Sequence, residues 1–295
     1  MPEVEIAGRR LSLTNLDKVL YPEAGFTKAQ VIDYYARIAP WMLPHLEGRA
    51  LTLVRCPNGV EGERFFEKRC PPHHPDWIPE VGELHSCEAH ELPTVVWLAN
   101  QAALELHTLQ ARADQPERPT AIVFDLDPGP PAGIVDCCRV ALDLRGLLGD
   151  LGLQAVVKTS GSKGLHLSVP LHTPATSDQT KALAHTLGRI LAKRDPKRVV
   201  TEMRKDLRPG RVFVDWSQND EHKTTVAPYS LRIRPCPTVS APVTWDEVEA
   251  TLDAGDPDQL TFDTRDVLQR VERDGDPYAE NLELVQALPS LPGDA

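Results

Sequence analysis

A chain of 295 residues suits one large domain or two modest ones, and 41% hydrophobic with 25% charged residues is ordinary for a globular protein. No run of 18 or more apolar residues occurs, which excludes a transmembrane helix, and the opening MPEVEIAGRR lacks the basic-then-apolar layout of a signal peptide, so a cytoplasmic location is expected. The net charge of −11 argues against a nucleic-acid partner only until it is divided: residues 245–295 hold 14 of the 43 acids but 3 of the 32 bases, leaving the rest balanced at 29 of each.

In chain order, Thr27-Lys28-Ala29-Gln30 has capping-box form, and apolar spacing through Val31, Ile32, Tyr35, Ile38 and Trp41 predicts a helix to about residue 43. Residues 50–55 read as a strand stopped by Pro57-Asn58-Gly59, 94–103 as a helix, and LELHTL, 104–109, as a strand. Residues 120–126 form an apolar strand that runs into DLDPG. A helix is expected over 133–149, then two strands, QAVVKTS and LHLSVPL, joined by the glycine turn at 161–164. A helix follows at about 177–194, and RVFVDWS is the next strand. The proline-rich RPCPTVSAPVTW, 234–245, is expected to wrap the surface before two short terminal helices. Hairpins mixed with crossovers predict an α+β core with a largely antiparallel sheet. One catalytic unit is expected, with an N-terminal α/β part to about 110, a core over 111–240 and an acidic helical segment over 241–295.

Six cysteines, at 56, 70, 87, 137, 138 and 236, form no CxxC pair and are expected as reduced thiols. Cys70-x-x-His73 with Cys87-x-x-His90 has a spacing that a zinc site can use.

Four stretches bear chemistry. Strand alternation puts Asp125 and Asp127 on one face, where the carboxylates repel unless a cation joins them. Asp215, from a separate strand, supplies a third oxygen ligand for hard divalent ions; capping and turn aspartates are the alternative. TSGSKGLHL, 159–167, offers backbone N–H groups, Ser160, Ser162, Lys163 and His166 to a phosphate, although it is no Walker A loop, and a plain glycine hairpin is the alternative. VFVDWSQNDEHKTTVAPYSLRIR, 212–234, follows the third aspartate with the polar side chains Ser217, Gln218, Asn219, Lys223, Arg232 and Arg234, a density that suggests a site, and its Lys and Arg suit phosphate contact. RFFEK, 64–68, sets Phe65 and Phe66 between Arg64 and Lys68; a base stacked on Phe gains about 1–3 kcal/mol, and one of the two rings is expected to pack inward. Residues 181–211 hold ten bases against three acids, either a phosphate-binding surface or a solvated helix face.

LTNLDKVLYP, RCPNGV, FFEK, QAALELH, VFDLDPG, TSGSKGLHL, VFVDWSQN and KTTVAPYSLR occur in that order. Together they resemble the polymerase domain of bacterial ATP-dependent ligase D, of the archaeo-eukaryotic primase superfamily, over about residues 8–275. The resemblance implies a primase-polymerase core with an RRM-like, mainly antiparallel catalytic sheet facing a second α/β layer. It implies primer extension in non-homologous end joining, with ribonucleotides preferred and two manganese or magnesium ions per site. Asp125, Asp127 and Asp215 would be metal ligands. Ser160, Ser162, Lys163, His166, Lys223 and Arg232 would hold the nucleotide, with His107 near the ribose. Phe65 and Phe66 would stack near the templating base. Lys18 and Lys28 would hold the 5′-phosphate across the gap, Arg55 and Lys68 would contact DNA, and Arg208 would help place the primer end. Val54 stands where some relatives carry a basic residue. The implied partners are gapped or broken duplex DNA with a 5′-phosphate, NTP or dNTP, and, beyond the chain, Ku and a separate DNA ligase. Two other classes fit parts of the pattern: a haloacid-dehalogenase-like phosphatase using Asp125 and Asp127, and a non-catalytic module that bridges DNA ends.

Overall fold

The computed structural model describes residues 2–289. The chain divides into two compact units. The first takes the chain to Leu109, then Thr224–Ala241 and Phe262–Asp276; the second takes Gln110–Lys223, Pro242–Thr261 and the chain from Pro277. The divisions expected at 110 and 240 therefore describe the path only in part: the chain returns to the first unit at Thr224, and the acidic segment is shared between the two.

The first unit is built on an antiparallel sheet of four strands in the order Thr224–Val226, Ala103–Leu109, Leu51–Arg55, Phe65–Glu67. The helix Lys28–Leu46 starts at the capping box, in which Thr27 accepts from the Gln30 N–H and Gln30 accepts from the Thr27 N–H. Its buried stripe, with Val31, Tyr34, Tyr35, Ile38 and Met42, packs on the helix Leu92–Asn100. The two tyrosine hydroxyls in that stripe are satisfied by the Tyr229 and Leu104 carbonyls, so burial leaves no orphan donor.

The second unit carries a six-stranded sheet in the order Val199–Val200, Val212–Asp215, Ala121–Pro128, Leu165–Pro170, Val156–Thr159, Pro242–Val243. Every pair is antiparallel except the first, so the expected α+β class with antiparallel sheets is what forms. Along Ala121–Pro128, Ile122, Phe124 and Leu126 are fully buried on one face. The helices Ile134–Asp150 and Ser177–Arg194 pack against this strand. On the second helix, a Cβ on Gly188 would lie 3.6 Å from Val214, the register partner of Leu126, which sets that helix on the apolar face. The aspartates occupy the other face.

Two expectations are corrected. Cys70 and Cys87 are joined in a disulfide rather than reduced, while Cys56, Cys137, Cys138 and Cys236 are free. The hairpin of Glu80–Val81 with Ser86–Cys87 folds the intervening loop back, and the Cys70 N–H bonds the His85 carbonyl, bringing the two Cα atoms to 4.7 Å. That pairing leaves no thiolates for zinc, and His73 turns to Gln101 and Trp97. The proline-rich stretch does not lie on the surface throughout. Val239, Ser240 and Ala241 are buried, and Pro242–Val243 completes the sheet edge beside Val156–Thr159. Among the described residues no helix is long and apolar enough to cross a membrane.

Candidate active site

In the second unit, strand register assembles the acids. Asp125 stands directly opposite Asp215, and Asp127, two residues on, shares their face opposite Phe213. Burial raises the Asp127 carboxyl above its ordinary range; the Asp125 charge adds to this, as does Asp215, while Arg208 and Lys163 oppose them. Crowded carboxylates of this kind are hard oxygen donors, the ligand type that divalent cations prefer. Among the described residues no group of three or more His, Cys, Asp or Glu side chains is arranged so as to hold a metal ion. Instead each acid is held by protein donors. Asp125 Oδ1 faces His166 Nε2 at 3.3 Å, and Asp127 Oδ2 accepts from Arg208 Nη1 at 3.4 Å. The Arg208 guanidinium lies over the Phe213 ring, 3.7 Å from its centre.

Asp215 is oriented by the 3-10 turn Trp216–Asn219 that follows it. Its Oδ1 accepts from the Ser217 N–H at 2.9 Å and the Ser217 hydroxyl at 2.5 Å, and its Oδ2 from Gln218 at 3.4 Å. Lys223 Nζ donates to the Ser217 hydroxyl, linking the lysine to the acid through one oxygen. The turn is pinned by Asn219, whose side chain pairs both the N–H and the carbonyl of Val123 at 2.8 Å, as a neighbouring strand would.

The TSGSKG turn differs from expectation. Its N–H groups at Ser162, Lys163 and Gly164 all point at Ser160 Oγ, at 3.1–3.2 Å, so the hydroxyl fills the nest that a phosphate was expected to enter. The Ser162 and Lys163 side chains remain exposed. Gly164 is required by contact: a Cβ there would meet the Leu126 carbonyl at 1.9 Å.

The remaining nominated residues lie in the first unit. His107 Nε2 and Glu105 Oε2 are 2.8 Å apart, and Glu105 Oε1 accepts from Arg232 Nε at 3.0 Å and the Ile233 N–H at 2.8 Å. Burial alone would raise the Glu105 carboxyl, yet the His107 bond, the Arg232 charge and the Ile233 N–H outweigh it and bring its pKa down to about 2. Lys28 is buried and bonds Thr14 Oγ1 at 2.9 Å; Lys18 bonds Asn58 at 2.9 Å. Burial first, then repulsion from Lys18 and Arg55, lowers the Lys28 pKa to about 8. Arg55 is held by Glu67 at 2.8 Å, and Val54 beside it is a core residue. Phe65 and Phe66 are 40% and 73% exposed, so neither ring packs inward, and Lys68 is exposed beside them. Their three-residue strand pairs with Leu51–Arg55 and is the edge of the sheet.

Glu105, and Lys158 buried beside His166, went unnoticed in the sequence, whereas Asn219 stands out there only as one of the polar side chains after the third aspartate and not as the clamp on Val123. The alternation of LELHTL already puts Glu105 on the His107 face; Asn219 leaves no such periodic trace.

The family model of the LigD primase-polymerase domain matches residues 27–278. The multifunctional non-homologous end joining protein LigD of Mycolicibacterium smegmatis is 46% identical over 277 residues, covering 90% of this chain and 35% of that protein. The bifunctional LigD of Bacillus subtilis is 33% identical over 276 residues, covering 91% and 44%. The chain thus spans about a third to under half of the length of these relatives. Among solved structures, the polymerase domain of Mycobacterium tuberculosis ligase D in complex with DNA superposes with a TM-score of 0.86 at 41% identity, covering 94% of this chain and 99% of that one. A sequence match over most of the length and a shared fold lead to one conclusion: this chain belongs to the LigD primase-polymerase domain family.

Proposed function

We propose that the chain extends a DNA primer, or fills short gaps at double-strand breaks, by nucleotidyl transfer in non-homologous end joining, and that it prefers ribonucleotides. What carries this is the register that sets Asp125 against Asp215 with Asp127 on the same face, in a chain of this family. Asp125, Asp127 and Asp215 hold two manganese or magnesium ions. Such ions lower the pKa of an attacking hydroxyl and neutralise a leaving phosphate. The protein's own groups do the positioning. Ser217 and Gln218 fix Asp215, Ser160 shapes the TSGSKG turn from within, and Lys223, Lys163, Ser162 and His166 hold the triphosphate, so that the primer 3′-hydroxyl attacks the α-phosphorus and pyrophosphate leaves. His107 and Arg232, locked by Glu105, bind the nucleotide. Phe65 and Phe66 stack on bases, Lys68 and Arg208 contact the DNA strands, and Lys18, Lys28 and Arg55 take the 5′-phosphate. Ku and a separate ligase are the partners this role requires.

The test is incorporation of each NTP and dNTP opposite a one-nucleotide gap, with magnesium or manganese, by the wild-type chain and Asp215→Ala. Incorporation favouring NTPs and abolished by the variant is expected, with no hydrolysis of p-nitrophenyl phosphate. Unchanged extension by Asp215→Ala in manganese would overturn the metal assignment. The dehalogenase-like alternative for DLDPG falls with the family assignment.

A further inference from the structure

We infer that Lys158 is a positioning residue that fixes His166 as an Nε2–H donor aimed at Asp125. Four residues on four adjacent strands are consecutive register partners: Lys158 with His166, His166 with Asp125, and Asp125 with Asp215. They form one row across the sheet, on the face that carries the acids. Lys158 is 2% exposed, and its Nζ lies 3.0 Å from His166 Nδ1; on the far side of the ring, Nε2 lies 3.3 Å from Asp125 Oδ1.

The chemistry of the lysine head group sets the direction of the row. An ammonium carries three donors and no acceptor, so the nitrogen it touches must offer a lone pair. In a neutral imidazole that assigns the lone pair to Nδ1 and the single hydrogen to Nε2, the nitrogen that faces the acid. The ring therefore presents an N–H, never a lone pair, to anionic oxygen. That oxygen belongs to Asp125 here, and to a phosphate when a nucleotide occupies the site. Lys158 supplies the donor that fixes the lone pair at Nδ1; the other tautomer would set a lone pair against a carboxylate.

The position itself argues for this role. Lys158 follows the buried Val156 and Val157, where an apolar side chain would pack without desolvating a charge. A lysine there gives up stability and gains a donor directed at one nitrogen.

Only the kinetic arm of the test rests on the polymerase reading. In the intact chain with 15N-labelled histidine, the ring nitrogens of His166, assigned by loss of signal in His166→Asn, report the tautomer directly. A protonated Nε2 and bare Nδ1 are expected in the wild-type protein, and a protonated Nδ1 overturns the proposal without any variant. In Lys158→Met the Nδ1–H tautomer should appear, and kcat/KM for nucleotide addition should fall at least roughly tenfold, mostly through KM, as the loss of one positioned donor implies. Lys158→Arg keeps a donor and should retain the Nε2–H signal and most of the activity. A folded Lys158→Met with the wild-type tautomer, or an arginine variant that loses it, also overturns the proposal. If Lys158→Met does not fold, the wild-type and arginine spectra decide. The spectrum reads the ring whether or not a primer is extended, so a wild-type chain that adds no nucleotide would sink the polymerase reading and leave this one standing.

Discussion

Glu105 binds His107 through one carboxylate oxygen and Arg232 with the Ile233 N–H through the other, which ties together two residues the sequence nominated separately. With its folded pKa near 2 against an ordinary value of 4.5, the ionised form is favoured by folding. The stabilisation is on the order of 3 kcal/mol, fully present above about pH 5 and lost as the pH falls toward 2. Glu105→Gln should therefore lower the urea-unfolding free energy at pH 7 by about 2–3 kcal/mol, with more than half of the difference gone by pH 3. A difference that stays constant over that range would show that the charge is not its source. Lys28 has the opposite history: burial and two neighbouring cations depress it to about 8, so it carries its charge below that pH and loses it above. A 5′-phosphate remains dianionic over this range. The affinity advantage of a 5′-phosphorylated gap over a 5′-hydroxyl gap should hold at pH 7 and shrink, by at most about tenfold per pH unit, above pH 8. The shrinkage should vanish in Lys28→Met. A phosphate advantage that does not change between pH 7 and 9.5 in the wild-type chain would remove Lys28 from the phosphate site.

At the level of elements, the interior strand that carries two of the acids and the TSGSKG turn meet at one carbonyl. Gly164 approaches Leu126, one residue from each of Asp125 and Asp127, so a methyl group there must push the turn off the strand or shift the acids. Gly164→Ala should cost about 2–3 kcal/mol from overpacking and, through misplaced acids, reduce primer extension roughly 100-fold. Gly146, inside the helix Ile134–Asp150 with open space around it, is the control: alanine there should raise stability by about 0.5–1 kcal/mol and leave extension alone. Thermal melts and extension rates of both variants check the pair. These elements also show what a sequence can and cannot disclose. The helix at 177–194 and the strand before DLDPG were readable because caps and apolar period are local signals, and the helix runs from Ser177 to Arg194 as expected. The acid trio was readable because alternation fixes a side chain's face. Other features depend on a side chain bonding backbone or sulfur far away in sequence, which leaves no period behind. Asn219 completing the edge of Val123 is one, Ser160 filling its own turn a second, and Cys70 meeting Cys87 across a hairpin a third. The burial of Val239–Ala241 was missed for a related reason: prolines announce a break in secondary structure but say nothing of depth.

For the molecule as a whole, the question raised by the proposed function is how a chain of net charge −11 would engage a polyanion. Its acids are concentrated late: Asp246, Asp253 and Asp258 are exposed residues of the second unit's terminal portion. Contact with phosphates is local and acts through counterion release, whereas repulsion from distant acids acts over the Debye length, about 10 Å at 0.1 M salt and about 3 Å at 1 M. The two contributions therefore separate by ionic strength. Replacing Asp246, Asp253 and Asp258 together with asparagine removes three charges without touching any residue assigned to nucleotide or DNA. The association rate with gapped duplex should rise a few-fold, about 2–5-fold, near 20 mM salt and be unchanged near 0.5 M. Lys18→Met should behave differently, lowering affinity at both salt concentrations and flattening the dependence of log K on log salt by about one unit, the signature of a lost phosphate contact. Stopped-flow association and equilibrium titration across that range measure both. If the asparagine variant also changed the slope by a full unit, its acids would lie within contact range of the DNA, and the separation of a steering field from a binding site would fail.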